Sequence, residues 1–150
     1  MATDESNATC GLRFEGVGVE NTYENRTQYR SMLYRNPEVG KYLSGAIMYD
    51  ETARATDTVT GKTNIKLLND NGMLAGVKID IGLRPIPGTN DEVACVGLDD
   101  LATKAEEYYS MGVKFVKWRA VLKIDDATGC PSDQAIMETS HSLARYASIC

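Results

Sequence analysis

No stretch of this sequence approaches the roughly 18 apolar residues that a membrane-crossing helix needs. Its first residues, MATDESNATC, offer neither a basic stretch nor an apolar one. These absences predict a chain with no membrane contact and no secretion signal. A basic run is also missing: 16 basic residues against 21 acidic ones leave a formal net charge of -5. Gripping a phosphate backbone takes a basic face, so no nucleic-acid partner is expected. Cys10, Cys95, Cys130 and Cys150 form no CxxC pair, which predicts reduced thiols in an intracellular compartment rather than a disulfide framework. Without a secretory route, the sequons at Asn7 and Asn25 are accidental matches. The lone His141 has no second ligand-type side chain one helical turn on, so it reads as a surface or packing residue and no metal is expected there. Neither GxGxxG nor GxxxxGK[ST] occurs.

What the sequence does contain is an alternation of short β-branched runs with amphipathic stretches that begin at capping residues and end near glycine. With 150 residues, 43% hydrophobic and 25% charged, it has material for one ordinary core, hence one domain over 1–150. A first helix is predicted from Asn21, with Glu24 completing a capping box, to the stop at Asn36-Pro37. Leu43 to Tyr49 reads as a buried strand, Asn64 to Asn71 as a short helix closed by Gly72, and Leu74 to Ile81 as a second strand. Asp99 is expected to cap a helix with Leu101, Ala102, Ala105, Tyr108 and Tyr109 on one face, ended by Gly112. A third strand, Val113 to Leu122, leads through the loop 125–131 into a helix capped at Ser132 whose Ile136, Leu143, Ala144 and Ala147 form its apolar face.

Strands joined by helix-length crossovers pair in parallel, so the fold class is α/β. An open doubly wound sheet and part of a (β/α)8 TIM barrel both fit. The missing phosphate loop tilts the reading toward the barrel. A complete barrel needs at least about 200 residues, so this chain is expected to hold roughly half of one, about four βα units.

Two strands carry charge where a covered sheet would not want it. Alternation puts Phe115, Lys117 and Arg119 on one face of their strand, with Val116 and Trp118 on the other. Lys78 and Asp80 likewise share a face, opposite Val77 and Ile79. In central strands such charges lose their hydration unless they meet partners or an anionic ligand, and the carboxyl ends of barrel strands are where barrel enzymes keep their active sites. If the strands lie at sheet edges, the lysines simply reach solvent. Two lysines and an arginine near a carboxylate suit a sugar phosphate, because the guanidinium fork matches phosphate oxygens and a lysine adds a point charge. Asp99-Asp100 reads as a helix start, Tyr108-Tyr109 as core and rim, and Asp125-Asp126 as a solvated turn.

Eight collinear segments resemble the class I fructose-bisphosphate aldolases: ATDES around Asp4, VENTYENR from Val19, SGAIMYDET from Ser44, GVKIDIG from Gly76, the Pro-Gly-Thr-Asn turn at Pro87, GLDDL from Gly97, FVKWRAVLKI from Phe115, and LARYASIC at the end. The resemblance implies a (β/α)8 barrel that cleaves fructose 1,6-bisphosphate to dihydroxyacetone phosphate and glyceraldehyde 3-phosphate through a lysine Schiff base, without metal or other cofactor. It implies a homotetramer at full length, with a sugar phosphate as the small-molecule partner. By residue, it implies that Asp4, Lys117 and Arg119 act in the chemistry. Ser6, Thr9, Arg13, Arg26 and Lys78 would bind substrate and its phosphates. The run Asp4 to Gly11 is similar to plastid-type members, so the plastid stroma stands beside the cytoplasm as the expected compartment.

The sequence departs from the pattern in three respects. Thr9 stands where many members have serine, and Ile81 where they carry a second lysine. The family's Glu-x-Glu acid/base pair and its Schiff-base lysine have no counterpart among these 150 residues. The 150 residues alone are therefore expected to be inactive, with a noncatalytic sugar-phosphate binding or interaction module as the alternative.

Overall fold

A computed structural model describes all residues from Met1 to Cys150. In order, the chain forms β1 (Ala2–Thr3), α1 (Asn7–Glu15), α2 (Tyr23–Arg35), β2 (Gly45–Met48), α3 (Asp50–Arg54), α4 (Asn64–Asp70), β3 (Leu74–Lys78), β4 (Leu83–Pro85), β5 (Val93–Cys95), α5 (Leu101–Met111), β6 (Phe115–Lys117) and α6 (Asp133–Ile149). Hydroxyl side chains begin most of the longer helices. Ser6, Thr22, Thr63 and Ser132 accept the backbone N–H of Thr9, Asn25, Lys66 and Ala135, satisfying donors that the first turn leaves open. Gly72 and Gly112, at φ 72° and 102°, leave α4 and α5 through left-handed backbone that a side chain would strain.

The chain divides into two compact units. The first comprises Met1–Lys78 and Tyr108–Val116. Its sheet has the order β1-β2-β3-β6, and β1-β2 and β2-β3 pair in parallel. The register joins Thr3 to Met48 and Met48 to Val77, a row of buried residues. Tyr34 is fully buried beneath β1. Thr3 Oγ1 lies 2.7 Å from the Ile47 carbonyl oxygen and 2.5 Å from the Tyr34 hydroxyl. A carbonyl only accepts, so Thr3 spends its proton there and the Tyr34 O–H donates to Thr3. Burial pushes the Tyr34 phenol up to about 12, keeping that donor in place. Asn64 joins three helices: its Oδ1 accepts from Ser31 at 2.8 Å and its Nδ2 donates to the Thr52 carbonyl at 2.9 Å.

On the opposite face of this sheet, the Phe115 ring lies across Gly76. A Cβ built on Gly76 would sit 2.2 Å from Phe115 Cζ, and one on Gly45 would sit 3.2 Å from Phe115 Cε1. The two glycines are the space the ring occupies.

The second unit comprises Ile79–Glu107 and Lys117–Cys150. Its β4-β5 hairpin is antiparallel, with Leu83 opposite Cys95 and Pro85 opposite Val93. Buried Glu92 anchors α6, accepting from Ser132 N at 2.9 Å and from Ser132 Oγ at 2.5 Å. Trp118 stacks on Tyr146 of α6, ring centroids 5.5 Å apart.

The structure bears out α/β organisation with a parallel sheet, and changes several boundaries. The first predicted helix is capped one residue later than expected, by Thr22 rather than Asn21, with Asn25, not Glu24, at the bonded position. The strand predicted over 113–122 pairs only at 115–117, because β propensity beyond Lys117 finds no neighbouring strand. The helix expected to be capped at Asp99 begins at Leu101; the Lys104 N–H bonds to the Asp100 carbonyl, and the exposed Asp99 side chain meets Arg145 instead. On α6 the predicted apolar face is exposed, including Ile136 and Leu143, while Ala135 and Ser142 are buried. Periodicity identifies an apolar stripe but not what packs against it. Helices α1 and α3 and the β4-β5 hairpin were not predicted.

Candidate active site

In the first unit the carboxyl ends of β1, β2 and β3 fall in register. One position beyond the row Thr3, Met48, Val77 comes the row Asp4, Tyr49, Lys78. Alternation turns this row to the face opposite the Thr3 row, the face that carries the Phe115 ring over Gly76. β3 lies between β2 and β6 in the sheet, so its lysine does not belong to an edge strand. The edge reading of Lys78 is thereby excluded, while β6, which carries Lys117, ends the sheet. Asp4 is buried, and the Lys78 ammonium lies 4.8 Å from the centre of the Tyr49 ring.

Next to Asp4 in the chain, Glu5 takes part in a set of arginine–carboxylate bridges. Glu5 accepts from Arg30 Nη1 at 2.6 Å and also pairs with Arg13, while Arg30 Nη2 reaches the Glu5 carbonyl at 3.1 Å and Cys10 Sγ at 2.9 Å. Burial alone would raise the Glu5 carboxyl, yet the Arg30 hydrogen bond and the charges of Arg30 and Arg13 hold it below its ordinary value. Arg26 grips Glu51 with both edges of its fork, Nε to Oε1 at 2.7 Å and Nη2 to Oε2 at 2.8 Å. Its remaining Nη1 bonds Asn21 Oδ1 at 2.8 Å. That bidentate hydrogen bonding, followed by the Arg26 charge, holds the Glu51 carboxyl low.

The predicted residues therefore differ in setting. Ser6 Oγ and Thr9 Oγ1 stand 3.0 Å apart at the start of α1, and Arg13 is exposed in its last turn and tied to Glu5. Arg26 is committed to Glu51 and Asn21, so it meets a ligand only by leaving them. In the second unit Lys117 closes β6, and Arg119 Nη2 bonds the buried Asp80 Oδ1 at 2.8 Å, an oxygen that also receives Gly82 N at 3.1 Å. Burial, then the charge of Asp80, pushes the neighbouring Cys95 thiol up to about 11, so it stays protonated near neutral pH. A groove of about 630 Å³ beside the β4-β5 hairpin is lined by Ile86, Met137 and His141 among others, but by none of the predicted residues.

Sequence reasoning missed Glu5, Arg30, Glu51 and Tyr49. Glu5, Tyr49 and Glu51 lay inside recognised motifs without being singled out. Arg30 gave no signal, since nothing in the polar α2 segment marks which arginine becomes buried.

The profile of the glycolytic class-I fructose-bisphosphate aldolases matches residues 1–150. The chain belongs to that family. It is 48% identical over 150 residues to fructose-bisphosphate aldolase 2 of Plasmodium berghei, covering 100% of this chain and 40% of that protein. To the chloroplastic fructose-bisphosphate aldolase of Spinacia oleracea it is 46% identical over 149 residues, covering 99% of this chain and 37% of that one. Among solved structures, the Plasmodium falciparum fructose-bisphosphate aldolase in ternary complex with TRAP and a small-molecule inhibitor superposes with a TM-score of 0.97 at 45% identity, covering 100% of this chain and 43% of that chain. The fold is that of the corresponding part of an aldolase TIM barrel. The chain spans about two fifths of the length of the curated relatives it matches.

Proposed function

We propose that this chain supplies the phosphate-gripping and electrostatic part of an aldolase site that cleaves fructose 1,6-bisphosphate to dihydroxyacetone phosphate and glyceraldehyde 3-phosphate, a lyase step of glycolysis and gluconeogenesis. The observation that carries the reading is the row Asp4, Tyr49, Lys78 at the carboxyl ends of adjacent parallel strands, within a chain of this family. Ser6, Thr9 and Arg13 offer hydroxyl and guanidinium donors to a phosphate, and Lys78 adds a positive charge. Arg26 joins the binding set by exchanging Glu51 for substrate. Asp4 in the first unit and Lys117 in the second take the charge- and proton-biasing roles that the family resemblance gives them, and Arg119, like Arg26, acts on substrate by exchanging its carboxylate partner, here Asp80.

Cleavage also needs an amine that condenses with the ketone and a base for the C4 hydroxyl proton. Neither Lys78 nor Lys117 matches the family's nucleophile, so these 150 residues alone bind substrate without turning it over. At full length the protein works as a homotetramer, in the cytoplasm or the plastid stroma, with residues 1–150 belonging to a single barrel domain.

Calorimetric titration of the purified chain with fructose 1,6-bisphosphate, alongside a cleavage assay, tests the reading. Binding that Lys78→Ala weakens roughly 10- to 100-fold, the range expected for losing one charged contact, supports it. Absence of binding overturns the site, and cleavage well above the blank overturns the assignment of the covalent chemistry to residues outside this chain.

A further inference from the structure

We propose that Tyr49 is a positioning residue of this site, its ring fixing the direction in which the Lys78 ammonium presents its charge to an anionic sugar-phosphate ligand. The inference rests on the sugar-phosphate reading above and adds to it the residue that aims the lysine.

Three observations converge. Tyr49, Asp4 and Lys78 each stand one residue past the paired row Met48, Thr3, Val77, which by alternation turns them to the face that carries the Phe115 ring. The Lys78 ammonium stands 4.8 Å from the Tyr49 ring centre, within the range where the negative face of the ring attracts a cation. Tyr49 also occupies the N-cap position of α3 with extended backbone, φ -79° and ψ 154°, and its side chain makes no capping hydrogen bond. Serine, threonine, asparagine and aspartate favour that position because they can accept a first-turn N–H; tyrosine cannot reach back to do so. A local rule is broken there, as happens where a side chain serves a site rather than its own element.

The choice of an aromatic partner has a chemical consequence. The flexible four-carbon stem of a lysine samples many directions unless something holds its end. A carboxylate would hold it but would also neutralise the charge an incoming phosphate needs. A ring restrains the ammonium and leaves its three N–H groups free to meet phosphate oxygens. Lys78 makes no ion pair in the structure, whereas Arg26 and Arg30 are each bound to a glutamate.

The test compares Tyr49→Phe, which keeps the ring, with Tyr49→Leu, which removes it. Lysines of the 150-residue chain are reductively methylated with 13C-formaldehyde, and the Lys78 methyl resonance is assigned with Lys78→Arg. A methyl group held over a ring face is displaced upfield. We expect that displacement in the wild type and in Tyr49→Phe, and its loss in Tyr49→Leu. In unmodified protein, fructose 1,6-bisphosphate should bind roughly three- to thirtyfold more weakly to Tyr49→Leu and unchanged to Tyr49→Phe, the span set by the strength of a cation–ring contact. Far-UV circular dichroism checks that both variants fold, and a second ring-free substitution, Tyr49→Met, replaces the leucine variant if it does not. A Lys78 methyl resonance that is identical with and without the ring overturns the proposal. So does bisphosphate affinity equal in the leucine and wild-type proteins. If the methyl displacement tracks the ring but no variant, nor the wild type, binds the bisphosphate, the sugar-phosphate reading fails, and with it the ligand half of this proposal, while the lysine–ring contact stands.

Discussion

Replacing Gly76 with alanine tests whether the glycine floor under Phe115 is a packing requirement. The added Cβ would lie 2.2, 2.4 and 2.6 Å from three ring atoms of Phe115, closer than carbon atoms tolerate, so the ring or the strand must move. Overpacking of this kind costs about 1–3 kcal/mol. Alanine returns part of that, about 0.4–1 kcal/mol, by restricting the unfolded chain, because Gly76 is not among the residues with positive φ. The steric term wins, leaving a net destabilisation of about 1–2 kcal/mol, which for a chain of this size lowers the melting temperature by roughly 2–8 °C. Thermal and urea unfolding followed by far-UV circular dichroism would measure it. Phe115→Leu should lose packing alone, yet the double variant Gly76→Ala/Phe115→Leu should be more stable than the sum of the two single effects predicts, since the shorter side chain admits the methyl group. Strict additivity, or a Gly76→Ala variant as stable as the parent, would refute the argument.

The Arg26–Glu51 pair should reveal itself through pH. Both Glu5 and Glu51 are held below their ordinary carboxyl values in the folded chain, so they stabilise it above pH of about 4.5 and lose that contribution as pH falls through their folded values. Glu51→Gln should cost about 1–3 kcal/mol at pH 7 and show a shallower loss of urea stability between pH 5 and 3 than the parent, the range and sign following from loss of a charge-assisted bidentate contact. Equal slopes would remove Glu51 from the acid response. Glu92→Gln, which replaces a doubly accepting carboxylate with an amide at the start of α6, should destabilise that helix by about 1–2 kcal/mol, read by hydrogen exchange at Ala135 and Ile136. Unchanged protection there would mean that the Ser132 cap alone begins the helix.

Much of the fold was legible in the residues because it rests on local physics. The buried runs in β2 and β3, the cap at Ser132 and the glycines that end α4 and α5 each arise from side-chain chemistry within a few positions. Lys78, Lys117 and Arg119 stood out because alternation put charge on strands that otherwise read as buried. What escaped was whatever depends on distant partners. Nothing near Arg30 in sequence announces that Glu5 and Cys10, 25 and 20 residues away, will enclose its guanidinium. The short β4 and β5 strands carry too few residues for a periodic signal.

The sequence by itself determined an α/β chain with parallel strands, the family to which its motifs belong, and the residue types from which the proposed phosphate site is drawn. Only the tertiary structure decided that Asp4, Tyr49 and Lys78 share a row, that Arg26 is committed to Glu51, and that the apolar stripe of α6 is left exposed. The reason is that capping and alternation act over a few residues along the chain, whereas strand register and ion pairing join segments that only folding brings together.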